Sequence, residues 1–122
     1  MNEPFDFKEY ADQLDTQMRK GFLVYCVLLI CNSGSVYSSD IINQLRNASL
    51  VVVEGTIYPL LSRLQKDGLL IHDWKESKQG PPRKYYQTSL SGQKVLGELK
   101  KTNHQLQTTI INIERGKYGQ NN

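Results

Sequence analysis

The sequence has few of the residues that build metal, disulfide or catalytic centres. Its 122 residues include two cysteines, two histidines and one tryptophan. Cys26 and Cys31 lie in an apolar helical run, where buried free thiols are common. His72 and His104 are far apart in the chain, and no third group stands at a metal or triad spacing. We therefore expect no metal, no cofactor and no enzymatic activity.

The sequence also has no long hydrophobic run. Its longest apolar stretch, residues 22–31, is about half the length that a helix needs to cross a bilayer. Residues 1–20 are acidic and polar and lack the features of a signal peptide. We expect a cytoplasmic protein that does not contact a membrane and that forms one domain.

Positive charge is scarce overall but concentrated in one segment. The net charge is +3, and residues 55–86 carry six cations against three anions. Elsewhere nine cations meet nine anions, and the first fifteen residues are acidic. This asymmetry indicates an anionic partner for the middle segment, with a solvated face and chance clustering as the alternative.

Four helices are predicted from apolar residues at helical spacing and from the turn residues that flank them. They run from Leu14 to a stop at residues 32–35, from Ser38 or Ser39 to about Asn47, from Thr56 to Gly68, and from a cap at Ser89 or Ser91 to Gly116. A start at Thr56 keeps Pro59 near the helix N-terminus, where the first amides have no helical partner. A kinked start at Glu54 is the alternative.

A β-hairpin is predicted between the last two helices. Residues 69–74 and 83–88 read as strands around a turn rich in Gly and Pro at residues 77–82. Residues 50–53 are either a brief strand or a buried connector. Tyr85 and Tyr86 alternate along a strand, so one of them is expected in the core.

The predicted fold class is mainly α with a small β-hairpin. This order of elements is that of a winged helix-turn-helix domain followed by a long C-terminal dimerisation helix. The expected divisions are an N-terminal arm at residues 1–12, the winged domain at 13–88, the dimerisation helix at 89–116 and a polar tail at 117–122.

In such a fold the third helix enters the DNA major groove. Its leucine stripe should face inward, which leaves hydroxyl, aromatic and cationic groups for phosphates and base edges. The candidates are Thr56, Tyr58, Pro59, Ser62, Arg63 and Lys66. An ordinary solvated helix face is the alternative.

The hairpin adds independent support for an anionic partner. Residues 77–86 hold the cations Lys78, Arg83 and Lys84 and no anion. The stiff tip at residues 80–82 can present these cations at a fixed angle. A basic wing over the phosphate backbone or the minor groove fits this pattern.

The last predicted helix carries apolar residues in strict 3-4 alternation, with one asparagine among them. The seam consists of Leu96, Leu99, Asn103, Leu106, Ile110 and Ile113. A helix of about 25 residues is nearly 40 Å long, more than a domain of this size can cover. We therefore expect a homodimer, with packing of the stripe onto its own domain as the alternative.

Two blocks of the sequence resemble the PadR family of transcriptional regulators. They are residues 54–70, which begin EGTIYPLLSRL, and residues 80–86, GPPRKYY, followed by Thr88 and Gly92. Residues 18–23 and Tyr37 are weaker matches, and the similarity covers about residues 15–115.

The resemblance implies a dimeric winged-helix repressor that acts on an inverted repeat of double-stranded DNA. It implies that the first and last helices build the dimer, which adds Phe22 to the interface. It adds Tyr37, Ser38 and Tyr85 to the DNA-facing candidates. Some members stack flat ligands on a tryptophan of the last helix, but no aromatic residue lies between Ser89 and Arg115 here. A small-molecule effector is therefore unsupported, and a winged-helix protein-interaction module without DNA binding is the alternative function.

Overall fold

The computed structural model describes residues 5–116, so the predicted polar tail and the first four residues of the predicted arm lie outside it. The elements are α1 (Phe7–Asn32), β1 (Val36–Tyr37), α2 (Ser38–Asn47), α3 (Glu54–Lys66), β2 (Leu70–Ser77), β3 (Gly80–Thr88) and α4 (Leu90–Glu114). Four helices and one small antiparallel sheet confirm the predicted fold class.

Helix α1 begins earlier than predicted. The carboxylate of Asp6 caps it by accepting a 3.1 Å hydrogen bond from the Glu9 amide, which satisfies one of the free amides of the first turn. Residues 7–12 of the predicted arm are therefore helical. All the described residues up to Phe22 are exposed, so the first half of α1 extends away from the core of its own chain.

The sheet has three strands in the order β1-β3-β2, not the two that were predicted. Tyr37 of β1 pairs with Tyr85 of β3, and a two-residue strand is too short to show an alternating pattern. The hairpin is longer than predicted, because β2 continues to Ser77 and β3 starts at Gly80.

The connector between α2 and α3, residues 48–53, is not a strand, and the alternative prediction of a buried connector at residues 50–53 holds in part, because Leu50 and Val52 are half-buried against the core. Val51 and Val53 are 71% and 65% exposed. Helix α3 then starts at Glu54, as the kinked alternative had it, and Pro59 lies inside the helix. Because proline has no amide hydrogen, the Gly55 carbonyl lacks its usual helical donor.

The core lies between the second half of α1, helices α2 and α3, the start of α4, and the sheet. Its buried side chains are Val27, Leu28, Cys31, Ile41, Ile42, Leu45, Ile57, Leu61, Leu64, Leu70, Tyr86 and Leu96.

Burial raises the pKa of the Cys31 thiol to about 12 and also raises the pKa of Cys26. Both cysteines are free thiols. Within residues 5–116 no helix is long and apolar enough to cross a membrane.

Helix α4 is joined to the turn that follows α3 by a short hydrogen-bonded link. The Ser89 hydroxyl donates to the Gly68 carbonyl at 2.6 Å and accepts from the Gly92 amide at 3.0 Å. The Ser89 amide donates to the Leu69 carbonyl at 3.0 Å. Ser89 is thus the N-cap of α4, one of the two predicted caps, and Gly116 follows the helix end at φ +68°.

Candidate nucleic-acid interface

A groove of about 520 Å³ lies between the start of α2, the outer face of α3 and the hairpin, and we call it the wing groove. It is lined by Tyr37, Ser38, Tyr58, Trp74, Ser77, Gln79, Gly80, Pro81, Pro82, Arg83, Lys84 and Tyr86. The lining includes two cations and no carboxylate. Five of the predicted DNA-facing residues therefore share one surface.

Aromatic rings hold both groove cations in place. The Arg83 guanidinium lies 4.9 Å from the centre of the Tyr37 ring, and the Lys84 ammonium lies 5.4 Å from the centre of the Tyr86 ring. The Tyr37 and Tyr85 rings pack at 5.7 Å and an interplanar angle of 41°. A cation over a ring face is stabilised by about 0.5–1 kcal/mol at exposed positions. The tyrosines therefore limit the motion of the cations.

Helix α3 turns its apolar stripe toward the core, as its spacing predicts. Ile57, Leu61 and Leu64 are buried. The six predicted DNA-facing residues of this helix are all exposed: Thr56, Tyr58, Pro59, Ser62, Arg63 and Lys66. Tyr58 lies in the wing groove, whereas Thr56 and Arg63 line a second cavity on the flank of the helix.

That second cavity, of about 300 Å³, lies between α1, the connector and α3, and we call it the connector cavity. It is lined by Thr16, Arg19, Lys20, Leu23, Val24, Leu50, Val51, Val52, Thr56, Leu60 and Arg63. Thr56 and Arg63 therefore line a different surface from the residues that meet in the wing groove.

Pro59, Ser62 and Lys66 are exposed but line neither cavity, and three further predicted residues have placements of their own. Lys78 is exposed in the hairpin turn and does not line the groove. The Lys75 ammonium lies 4.8 Å from the centre of the Tyr85 ring. Tyr85 does not line the groove either. Ser38 lines the groove but is mostly buried.

Trp74 was not predicted as a site residue, yet it lines the wing groove and is 59% exposed. It pairs with Lys84 in the register of β2 and β3 and makes an edge contact with the His72 ring at 6.3 Å. Directly opposed residues of an antiparallel pair project from the same face. Pairing the predicted strands end to end would have set Trp74 opposite Arg83, and the observed register, shifted by one residue, places it beside Lys84.

The predicted dimer seam divides along α4. Leu96 is 2% exposed in the core of its own domain, and Leu99 packs against that core. The domain itself therefore covers Leu96, as the alternative had it, and we remove Leu96 from the interface, whereas Leu99 is only half-buried and stays a candidate. The later members, Leu106, Ile110 and Ile113, are exposed, as is Phe22.

Asn103 is half-buried between these two parts of the seam, and its side-chain oxygen accepts a 3.3 Å hydrogen bond from Gln107. Around it, Met18, Phe22 and Tyr25 of α1 and Leu99 and Leu106 of α4 line a further cavity of about 360 Å³.

The described part of the chain contains no group of three His, Cys, Asp or Glu residues that could hold a metal ion. The Nδ1 atom of His72 lies 2.7 Å from the side-chain nitrogen Nε2 of Gln65, and His104 is exposed on α4.

Comparison with known proteins places this architecture in one family. The Transcriptional regulator PadR-like family matches residues 27–98. A PadR-like transcription factor from Bacteroides fragilis is 50% identical, with 83% of this chain and 98% of that chain covered and a TM-score of 0.72. A PadR-like transcriptional regulator from Bacillus cereus is 38% identical, with 80% and 95% covered and a TM-score of 0.72.

A PadR family transcriptional regulator from Eggerthella lenta is 28% identical, with 95% of this chain and 97% of that chain covered and a TM-score of 0.75. A comparison with curated proteins gave no match. The family match includes every residue that lines the wing groove, and this chain belongs to the PadR-like family of transcriptional regulators.

Proposed function

We propose that this protein binds double-stranded DNA as a homodimer at an inverted repeat and represses transcription there. The observation that carries the proposal is the wing groove, where Arg83, Lys84 and Tyr58 meet without a carboxylate. Helix α3 reads the major groove with Tyr58, Pro59 and Ser62, and the hairpin lies along the phosphate backbone. A dimer bound at a promoter represses transcription because it occupies the DNA that the polymerase needs.

The exposed apolar residues on α1 and α4 support a homodimer. On α1 they include Leu14, Met18 and Phe22, which share one face, and on α4 they include Ile110 and Ile113. Helix α4 is 25 residues long, and its second half lies beyond the core of its own chain. Covering these stripes with a second copy removes apolar surface from water at about 25 cal/mol per Å².

Selection of bound duplexes from a random pool tests the DNA-binding part of the proposal. We expect an inverted repeat whose half-site centres lie about one helical turn or more apart, because the two symmetric α3 helices enter major grooves on the same side of the duplex. Placing that repeat over a reporter promoter should lower its expression when the protein is present. Recovery of no common sequence, or of a single unrepeated half-site, would contradict the proposal.

The dimer interface has its own test in Ile110→Glu. Because Ile110 is 54% exposed on the outer face of α4, the change should leave the monomer folded. It should weaken dimerisation about fiftyfold, since each copy would bury an unpaired carboxylate. Sedimentation equilibrium measures the dissociation constant. Thr108→Glu, on the opposite face of α4, is the matched control and should remain dimeric; equal dimerisation of both variants would exclude this interface.

A further inference from the structure

The connector cavity combines apolar walls with cationic edges. Leu23, Val24 and Leu60 are half-buried along its wall, whereas Arg19, Lys20 and Arg63 are exposed at its mouth. None of the lining residues is acidic. Small-molecule sites have this composition, a mainly hydrophobic cavity with a few polar groups that fix the orientation of the ligand.

We propose that the connector cavity binds a small aliphatic carboxylate. The alkyl chain would pack against Leu23, Val24 and Leu60, and the carboxylate would pair with Lys20 and Arg63. At roughly 30 Å³ for each water-sized group, the cavity holds about ten such groups. An eight-carbon carboxylate has this size.

Two of the three cations are available for an anion. The Arg19 guanidinium already pairs with the Asp15 carboxylate at 3.0 Å. Neither Lys20 nor Arg63 forms a salt bridge within residues 5–116. Pairing with a ligand carboxylate therefore does not require either of them to give up an acidic partner there.

Within the connector cavity, Lys20 is the cation farthest from the proposed dimer interface. At 100° per residue, Lys20 lies about 160–200° around α1 from Met18 and Phe22. Arg19 and Leu50, at the edge of the cavity, also line a small cavity with Met18 and Phe22. A change at Lys20 should therefore leave the dimer intact.

A ligand here would also act on α3. The N-cap of α3, Val53, makes no side-chain capping hydrogen bond, and Pro59 removes one backbone hydrogen bond from the helix. A carboxylate that pairs with Arg63 withdraws that cation from DNA phosphates. We expect bound carboxylate to lower DNA affinity about tenfold, and DNA to weaken carboxylate binding by the same factor; this step rests on the proposed function.

Titration calorimetry on the full-length protein with octanoate, octan-1-ol and acetate tests the site. Octanoate should bind at least tenfold more tightly than octan-1-ol, which lacks the charge, and than acetate, which lacks the chain. Lys20→Gln should weaken octanoate binding about tenfold. Lys100→Gln, which removes an exposed charge from α4, is the matched control and should leave binding unchanged.

Absence of octanoate binding, equal binding of octan-1-ol, or unchanged binding in Lys20→Gln would each overturn the proposal. Octanoate that separates the dimer regardless of Lys20 would also overturn it, because octanoate would then bind at the dimer interface and not in the connector cavity. Gel-shift titration of the selected duplex with and without octanoate measures the coupling to DNA. If octanoate binds through Lys20 but no duplex is bound, the ligand site stands and the proposed function fails.

Discussion

Replacing Arg83 and Lys84 together by glutamine should lower the affinity of the dimer for its selected duplex by about three orders of magnitude. Both side chains line the wing groove, and a dimer carries four of them. Each lost contact with a phosphate weakens binding by about 1 kcal/mol. With fewer phosphates neutralised, binding also releases fewer counterions. The slope of log K against log salt should therefore become shallower by about 3.6, at 0.9 for each phosphate.

Fluorescence anisotropy of a labelled duplex, repeated at several salt concentrations, measures both quantities. Glutamine retains most of the side-chain length, so packing on Tyr37 and Tyr86 is largely kept while the charge is lost. The matched control is Lys100→Gln, which lowers the net charge at a site remote from the groove and should change affinity less than threefold. An unchanged salt slope in the folded double variant would show that the hairpin does not contact phosphates.

The wing residues were predictable because the hairpin has a local signal. Stiff turn residues, alternating strand positions and three unopposed cations all occur within ten residues. The involvement of Tyr37 in holding Arg83 was not predictable from spacing, because β1 has only two residues and pairs with a strand almost fifty positions later. Such a pairing leaves no periodic pattern in the sequence.

The apolar seam of α4 has a clear periodic pattern, but the pattern does not predict which residues the domain buries. Its 3-4 alternation correctly predicts one continuous face on α4 but cannot say what covers each part of it. Leu96 is covered by the domain itself and Ile110 is not. The difference depends on where α4 leaves the domain, which the link between Ser89, Gly92 and the turn after α3 determines. That link is tertiary, and its key residue is a glycine.

Gly92→Ala should destabilise the protein by about 3 kcal/mol, although the same change inside a helix usually stabilises it. Gly92 is buried in the first turn of α4, and an added Cβ would overlap the Leu69 carbonyl oxygen. Because backbone atoms cannot yield as a flexible side chain does, α4 must move away. That movement would weaken the hydrogen bonds of Ser89 to Gly68 and Leu69, and crowding plus lost hydrogen bonds account for the size of the effect.

Gly97→Ala is the matched control, because it lies in the same helix and an added Cβ there meets nothing within 4 Å. Alanine should stabilise that position by about 0.5–1 kcal/mol through its higher helix propensity. Urea unfolding at one fixed protein concentration compares the two variants, since dimerisation makes stability depend on concentration. If alanine lowers the free energy of unfolding at Gly92 and raises it at Gly97, the contact between Gly92 and Leu69 is the one that orients α4. Equal stabilisation by alanine at both positions would show that the contact with Leu69 relaxes freely.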